Sequence, residues 1–240
     1  MAADALAAGR AHLRRADPIL GALVRSRPDF DPSAWMARLP AMDASGVLLF
    51  QVVGQQLSVA VTRTMLRRLE ERFDGHVPTP PELLGDDPEE LRAASGLSRR
   101  KVATLRELAA RLEDGRLDVD ELARLSDDEV VARLTEVPGV GPWTAHGFLI
   151  LALDRPDVVL PGDLVLRKAI GRLYGLDHLP TQAEVLAIAQ PWRPYRTLAS
   201  SYLFALGDGD GGACRSAARR TLPEAVLGSS PAKSTTRGYL

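Results

Sequence analysis

Apolar positions recur at intervals of three and four residues along most of the chain, and strand-like alternation is hard to find. Such spacing lays one apolar stripe along each helix, and the abundance of Ala, Leu, Arg and Glu favours the same state. The prediction is an all-α protein. A first periodic segment covers residues 3–25 and is broken or kinked at Asp17-Pro18; a Pro- and Asp-rich stretch, 27–32, leads to a short helix around 34–39. A long apolar segment over 45–73 is interrupted by Val53-Gly54-Gln55-Gln56-Leu57-Ser58. Either Gly54 ends one helix and Ser58 caps the next, leaving the glutamines at a junction, or the amides are buried and bonded to backbone.

Explicit start signals divide the middle of the chain into short helices. Thr79-Pro80-Pro81-Glu82 and Asp87-Pro88-Glu89-Glu90 read as capped first turns, and a helix opened by Ser98 stops at Gly115. Ser126 with Glu129, and Thr181 with Glu184, have capping-box spacing. Compact helices joined by short loops imply a bundle-like globular fold. After Leu206 the composition turns to Gly, Ser and Pro, so 207–240 is expected to be a flexible tail with at most a short helix over 215–226.

The stretch from Leu134 to Ala169 departs from this pattern twice. Pro138-Gly139-Val140-Gly141 separates two helical patterns, and Pro161-Gly162 delivers a lone carboxylate, Asp163, to the start of the next. So tight a turn demands backbone angles that a Cβ tolerates poorly, and Gly also admits a second backbone closely. Pro142 then takes the first helical position, where its missing N–H costs nothing. The free N–H groups of such a hairpin and helix start point outward together, which suits a phosphate; the same dipeptides also mark ordinary connections. Asp163 has the position of a helix N-cap.

With 240 residues, 45% of them hydrophobic, the chain can bury one large core or two closely packed lobes. No apolar run approaches the ~18 residues of a membrane span and no secretory signal opens the chain, so no membrane partner and a cytoplasmic location are expected. The single cysteine, Cys214, excludes an internal disulfide and any iron–sulfur cluster held by one chain. His12, His76, His146 and His178 lack metal-ligand spacing. A net charge of -1 speaks against a strongly electrostatic nucleic-acid binder. The cations are uneven, however: Arg99, Arg100, Lys101, Arg106, Arg111 and Arg116 form one group, and Arg167, Lys168, Arg172, Arg193 and Arg196 another. Solvated helix faces explain most such groups.

Several motifs together resemble a known family. They are Val137-Pro138-Gly139-Val140-Gly141-Pro142-Trp143-Thr144-Ala145, Leu160-Pro161-Gly162-Asp163-Leu164 and Leu166-Arg167-Lys168-Ala169, with Gly54-Gln55-Gln56-Leu57-Ser58, Gly96-Leu97-Ser98 plus Lys101, and Trp192-Arg193-Pro194-Tyr195-Arg196. In this order, over most of 45–206, they are similar to the helix-hairpin-helix DNA glycosylases, and among them to the bacterial 3-methyladenine DNA glycosylase II group in a shorter form without the N-terminal β-rich domain. The resemblance implies two helical lobes flanking a cleft, one of about 44–153 with the hairpin and one of about 1–40 plus 163–206. It also implies a monomeric, monofunctional enzyme of base excision repair that flips an alkylated purine out of damaged double-stranded DNA, hydrolyses its glycosidic bond and leaves an abasic site. A non-catalytic helix-hairpin-helix DNA-binding module, or a glycosylase for a different base lesion, is the alternative.

By the same resemblance Asp163 is the catalytic carboxylate, and a helix start favours its anionic form. Trp143 and Trp192 line the base pocket, with Tyr195 or Tyr202, His146 and Leu164 around them. Pro138, Gly139, Val140, Gly141 and Thr144 grip the DNA backbone, Gln56 or Leu57 fills the gap in the stack, and Arg167 and Lys101 add contacts. The backbone carbonyls of Thr135, Val137 and Val140 hold a structural Na+ or K+, and no cofactor serves catalysis. Relatives that also cut the strand carry a lysine where this chain has Trp143, and a Schiff base needs an amine. Leu164 and Gly147 stand where relatives often carry aromatics, which implies a roomier pocket.

Overall fold

The computed structural model describes residues 3–34 and 39–207. Residues 35–38, the centre of the expected short helix at 34–39, and 208–240, which hold the expected tail, lie outside them. The described residues are all-helical: α1 (Ala3–Ala16), α2 (Pro18–Ser26), α3 (Ala44–Gly54), α4 (Val59–Arg72), α5 (Pro80–Gly85), α6 (Pro88–Ser95), α7 (Arg99–Glu113), α8 (Val119–Arg124), α9 (Asp127–Thr135), α10 (Pro142–Leu151), α11 (Leu164–Tyr174), α12 (Gln182–Ile188), a 3-10 turn (Gln190–Trp192) and α13 (Arg196–Gly207). None of these helices is long and apolar enough to cross a membrane.

The capping residues explain most boundaries. The Asp17 side chain accepts from the first turn of α2, Ser58 from that of α4 and Ser98 from that of α7, while α9 and α12 open with full capping boxes and in α5 the Glu82 carboxylate accepts from Thr79 N. Gly96 and Gly175 close α6 and α11 in the left-handed conformation.

Two apolar cores result. The first joins side chains of α3 to α10 and ends at Val158; the second joins α1, α2 and α11 to α13 and takes up Val159 and Leu160. Ile150 of α10 packs against both. The crossing segment is clamped from α13: Arg196 Nε donates to Asp157 Oδ1 at 2.7 Å, and Thr197 Oγ1 accepts from Val158 N at 3.0 Å and donates to Arg155 O at 2.7 Å. These bonds set where the chain re-enters the second lobe, six residues before Asp163.

The second lobe is held by a buried carboxylate. Asp17 Oδ1 accepts from Ile19 N and Leu20 N at 2.9 and 3.0 Å, whereas Oδ2 accepts from Trp192 Nε1 at 2.8 Å and from the Tyr174 hydroxyl. Trp192 is fully buried, as is Tyr202, which accepts from Arg10 Nε at 3.1 Å. The structure therefore corrects the pocket assignment of both rings: they are core residues of the second lobe.

Candidate active site

Six residues, 136–141, join α9 to α10. Gly139 adopts φ +90°, and a Cβ on it would stand 2.0 Å from Thr104 Oγ1 of α7. Conformation and close approach thus both require glycine at this position. Gly141 differs from expectation: it is the extended N-cap of α10 at φ -110° with open space around it. Its lack of a side chain leaves the backbone N–H groups of the helix start uncovered.

Gln55 fastens the hairpin. Its Nε2 donates to Gly139 O and to Thr144 Oγ1, both at 2.9 Å. Thr144 is buried, so its hydroxyl braces the hairpin from within and does not face DNA, contrary to its assignment from sequence. Lys101 is corrected in the same way: Nζ donates to Val53 O and Gln55 O at 2.8 and 2.9 Å, capping the end of α3. Burial lowers its pKa from the ordinary lysine value. Gln55→Leu is expected to strand two polar groups and cost about 1–3 kcal/mol of folding stability, read by urea denaturation, with weaker binding of duplex DNA.

Beyond Gln55 the α3–α4 junction turns outward. Gln56 sits exposed at φ +57°, whereas Leu57 is half-buried. Of the two, Gln56 has the projecting geometry. Val59 and Val61, exposed on the first turn of α4, extend an apolar surface beside it that sequence reasoning missed, because both fit an ordinary helix stripe.

Asp163 is both a helix cap and a presented carboxylate. Oδ1 accepts from Leu166 N at 2.9 Å, and Oδ2 accepts from Trp143 Nε1 at 2.9 Å. The cap holds the side chain still, and the indole N–H aims its second oxygen. Trp143 keeps 36% exposure, and Leu164 and Val165 are exposed beside the carboxylate. Because Trp143 belongs to the first turn after the hairpin, this one bond links the hairpin to Asp163 across the lobes.

The remaining predicted residues are spread more widely. Tyr195 packs against His12 with the rings tilted by 50° and their centroids 5.4 Å apart, and its ring lies over Gly9, so it is occupied by α1. His146 is half-buried; burial lowers its pKa, which favours the neutral ring, and the charges acting on it are those of Asp127, Arg196 and Asp128. None of them belongs to the Trp143–Asp163 pair. Arg167 spends Nε on Pro180 O at 2.7 Å. Several arginines of the two groups are engaged within the protein: Arg99 pairs with Glu89, Arg111 with Glu107, Arg116 with Asp114 and Arg196 with Asp157, and Arg106 binds carbonyls of α5 and its end.

Gly147 does not leave the expected hole. A Cβ there would stand 2.3 Å from Gln51 Oε1 and 2.7 Å from Gln51 Nε2, so the amide of a buried α3 residue fills the space. Sequence reasoning passed over Gln51, although it is the one polar side chain between Gly46 and Val53. In the hairpin the side chains of Val137 and Val140 enter the core, and Val137 O accepts from Val140 N at 3.0 Å.

A glycine hairpin between two helices, tied to a capped carboxylate in the neighbouring lobe, defines a two-lobed helix-hairpin-helix protein. Residues 50–194 match the HhH-GPD superfamily of base excision DNA repair proteins, and the chain belongs to that superfamily. It is 35% identical over 159 residues to DNA-3-methyladenine glycosylase 1 of Schizosaccharomyces pombe, covering 65% of this chain and 69% of that protein. The structure of an S. pombe 3-methyladenine DNA glycosylase in complex with abasic DNA aligns with a TM-score of 0.77 at 29% identity, over 85% of this chain and 98% of that one. A DNA-3-methyladenine glycosidase of Bacillus halodurans aligns with a TM-score of 0.67 at 29% identity, over 83% of this chain and 89% of the other.

Proposed function

We propose that this chain is a DNA glycosylase acting as a monomer, which flips an alkylated purine of the 3-methyladenine type out of duplex DNA and hydrolyses its bond to deoxyribose. The observation that carries this reading is the 2.9 Å bond from Trp143 Nε1 to Asp163 Oδ2, which places an anchored carboxylate beside an exposed aromatic at the hairpin. Loss of the base develops positive charge on the sugar, and a carboxylate held there stabilises it. A water oxygen bonds to C1′ as the C1′–N bond breaks; the bonding pair leaves with the base, and one water proton passes to Asp163 and then to solvent. An alkylated base that was cationic in the nucleotide departs neutral, so one carboxylate suffices.

The enzyme is proposed to be monofunctional. Trp143 has no amine to offer, and the Lys101 ammonium is spent on α3 carbonyls. Three backbone carbonyls at a left-handed reversal suit a hard monovalent ion better than a transition metal, so the carbonyls of Thr135, Val137 and Val140 would hold a structural Na+ or K+. Bound there, it would add positive charge near the phosphate grip.

The test is release of 3-methyladenine from methylated duplex DNA by the purified chain. Release without strand scission, until alkali or heat is applied, is the expected result; salt-sensitive binding with no excision would instead support a binding module. Trp143→Phe keeps an aromatic face and removes the N–H. It is expected to lower kcat roughly 10-fold, the loss of one hydrogen bond to a charged group, with KM nearly unchanged. A variant that changed only KM would remove the positioning role of the indole.

A further inference from the structure

Gln51 is only 4% exposed, and among the described residues its side-chain amide makes no hydrogen bond. Neither amide atom is among the sealed side-chain atoms left without a partner, so both still reach solvent, and an amide that is open yet unpaired within the protein is free to bond a ligand. Its place is informative. Both amide atoms lie where Gly147 would carry its Cβ, and Gly147 follows Trp143 by four residues in α10, which puts the two on one helix face. Side chains lean towards the helix N-terminus, so the space filled by Gln51 opens towards the turn that bears Trp143. Trp143 in turn holds Asp163.

We infer that Gln51 is a base-reading residue: its amide forms the floor beneath Trp143 and bonds the hydrogen-bonding edge of the flipped purine. This rests on the glycosylase reading above. An amide offers one acceptor and one donor side by side, which matches an adenine-type edge, the carbonyl accepting from the exocyclic N6–H and the N–H donating to N1. For a guanine-type base the amide turns over, accepting from N1–H and donating to O6. Glycine at 147 is what admits the amide, since any side chain there would displace it.

The experiment compares wild type, Gln51→Met and Gln51→Glu on methylated duplex DNA, scoring 3-methyladenine and 7-methylguanine separately, with affinity for a duplex bearing a tetrahydrofuran abasic analogue as control. Gln51→Met keeps length and apolar volume and removes both bonding atoms. It is expected to lower kcat/KM for 3-methyladenine by about 10- to 100-fold, the range of a bidentate base contact, with abasic-analogue affinity and melting temperature undiminished. Full activity of this variant, or an equal loss of affinity for the analogue that lacks a base, overturns the assignment. If Gln51→Met does not fold, Gln51→Glu decides: a carboxylate keeps the acceptor and loses the donor to N1, so the ratio of 3-methyladenine to 7-methylguanine released should fall at least about tenfold. An unchanged ratio overturns the assignment. Wild type inactive on both bases would instead refute the glycosylase reading on which this one rests.

Discussion

Asp163→Asn is expected to lower kcat for base release by about 10²- to 10³-fold, the loss that follows removal of one preorganised electrostatic group, while leaving the protein folded. Asparagine caps helices as well as aspartate does; its carbonyl oxygen can take the Leu166 N–H now accepted by Oδ1. What vanishes is the negative charge opposite the developing positive charge on the sugar, together with the bond from Trp143 Nε1, which an amide nitrogen cannot accept. Asp163→Ala provides the contrast. It removes charge and cap together, so activity falls by at least as much and stability falls by about 1 kcal/mol. Single-turnover rates on methylated duplex DNA, beside urea unfolding of each variant, separate the two effects. Retention of wild-type rate by Asp163→Asn would remove Asp163 from the chemistry and leave it a helix cap. The cap and the carboxylate do not compete in the structure, because they use different oxygens.

That division of labour was not legible in the sequence, where cap and catalyst looked like rival readings of one residue. Local signals carried well. The break at Asp17-Pro18, the junction at Gly54 to Ser58 and the two capping boxes at Ser126 and Thr181 all bound helices as their chemistry requires. What local pattern could not convey is which polar groups meet across the fold. Trp143 and Trp192 were not separable in the sequence: both are tryptophans beside turns, yet one keeps 36% exposure and the other is fully buried on Asp17. Lys101 read as a cation for phosphate and proved to be a cap on α3. Gln55 stands in a recognised motif, but its role follows from partners 84 and 89 residues away, and Gln51, in no motif, is placed only by the gap at Gly147.

Asp17→Ala is expected to destabilise the protein by on the order of 3–5 kcal/mol, the cost of breaking a buried charged network by deleting one member. The carboxylate serves four donors at once: two backbone N–H groups of α2, the Trp192 indole and the Tyr174 hydroxyl. Deleting it removes a cap and leaves two large buried side chains with unpaired polar atoms. Tyr174 sharpens the test. Burial and the neighbouring Asp17 carboxylate push its pKa well above the ordinary tyrosine value, so it stays protonated and donates. Because the folded-state value is raised, this contribution is complete below the unfolded value of about 10 and is lost as pH rises towards the folded one. Stability should therefore decline in alkali more steeply for wild type than for Tyr174→Phe. The second lobe is assembled from two distant segments, α1–α2 and α11–α13, joined chiefly through this network and its core. Loss of hydrogen-exchange protection in Asp17→Ala should accordingly concentrate in α2, α11 and α13 and spare α3 and α7. Asp163 caps α11, so excision should fall with the same thermal midpoint as α11 protection. Urea stability within about 1 kcal/mol of wild type, the size of an ordinary single substitution, would mean that Asp17 does not hold the lobe.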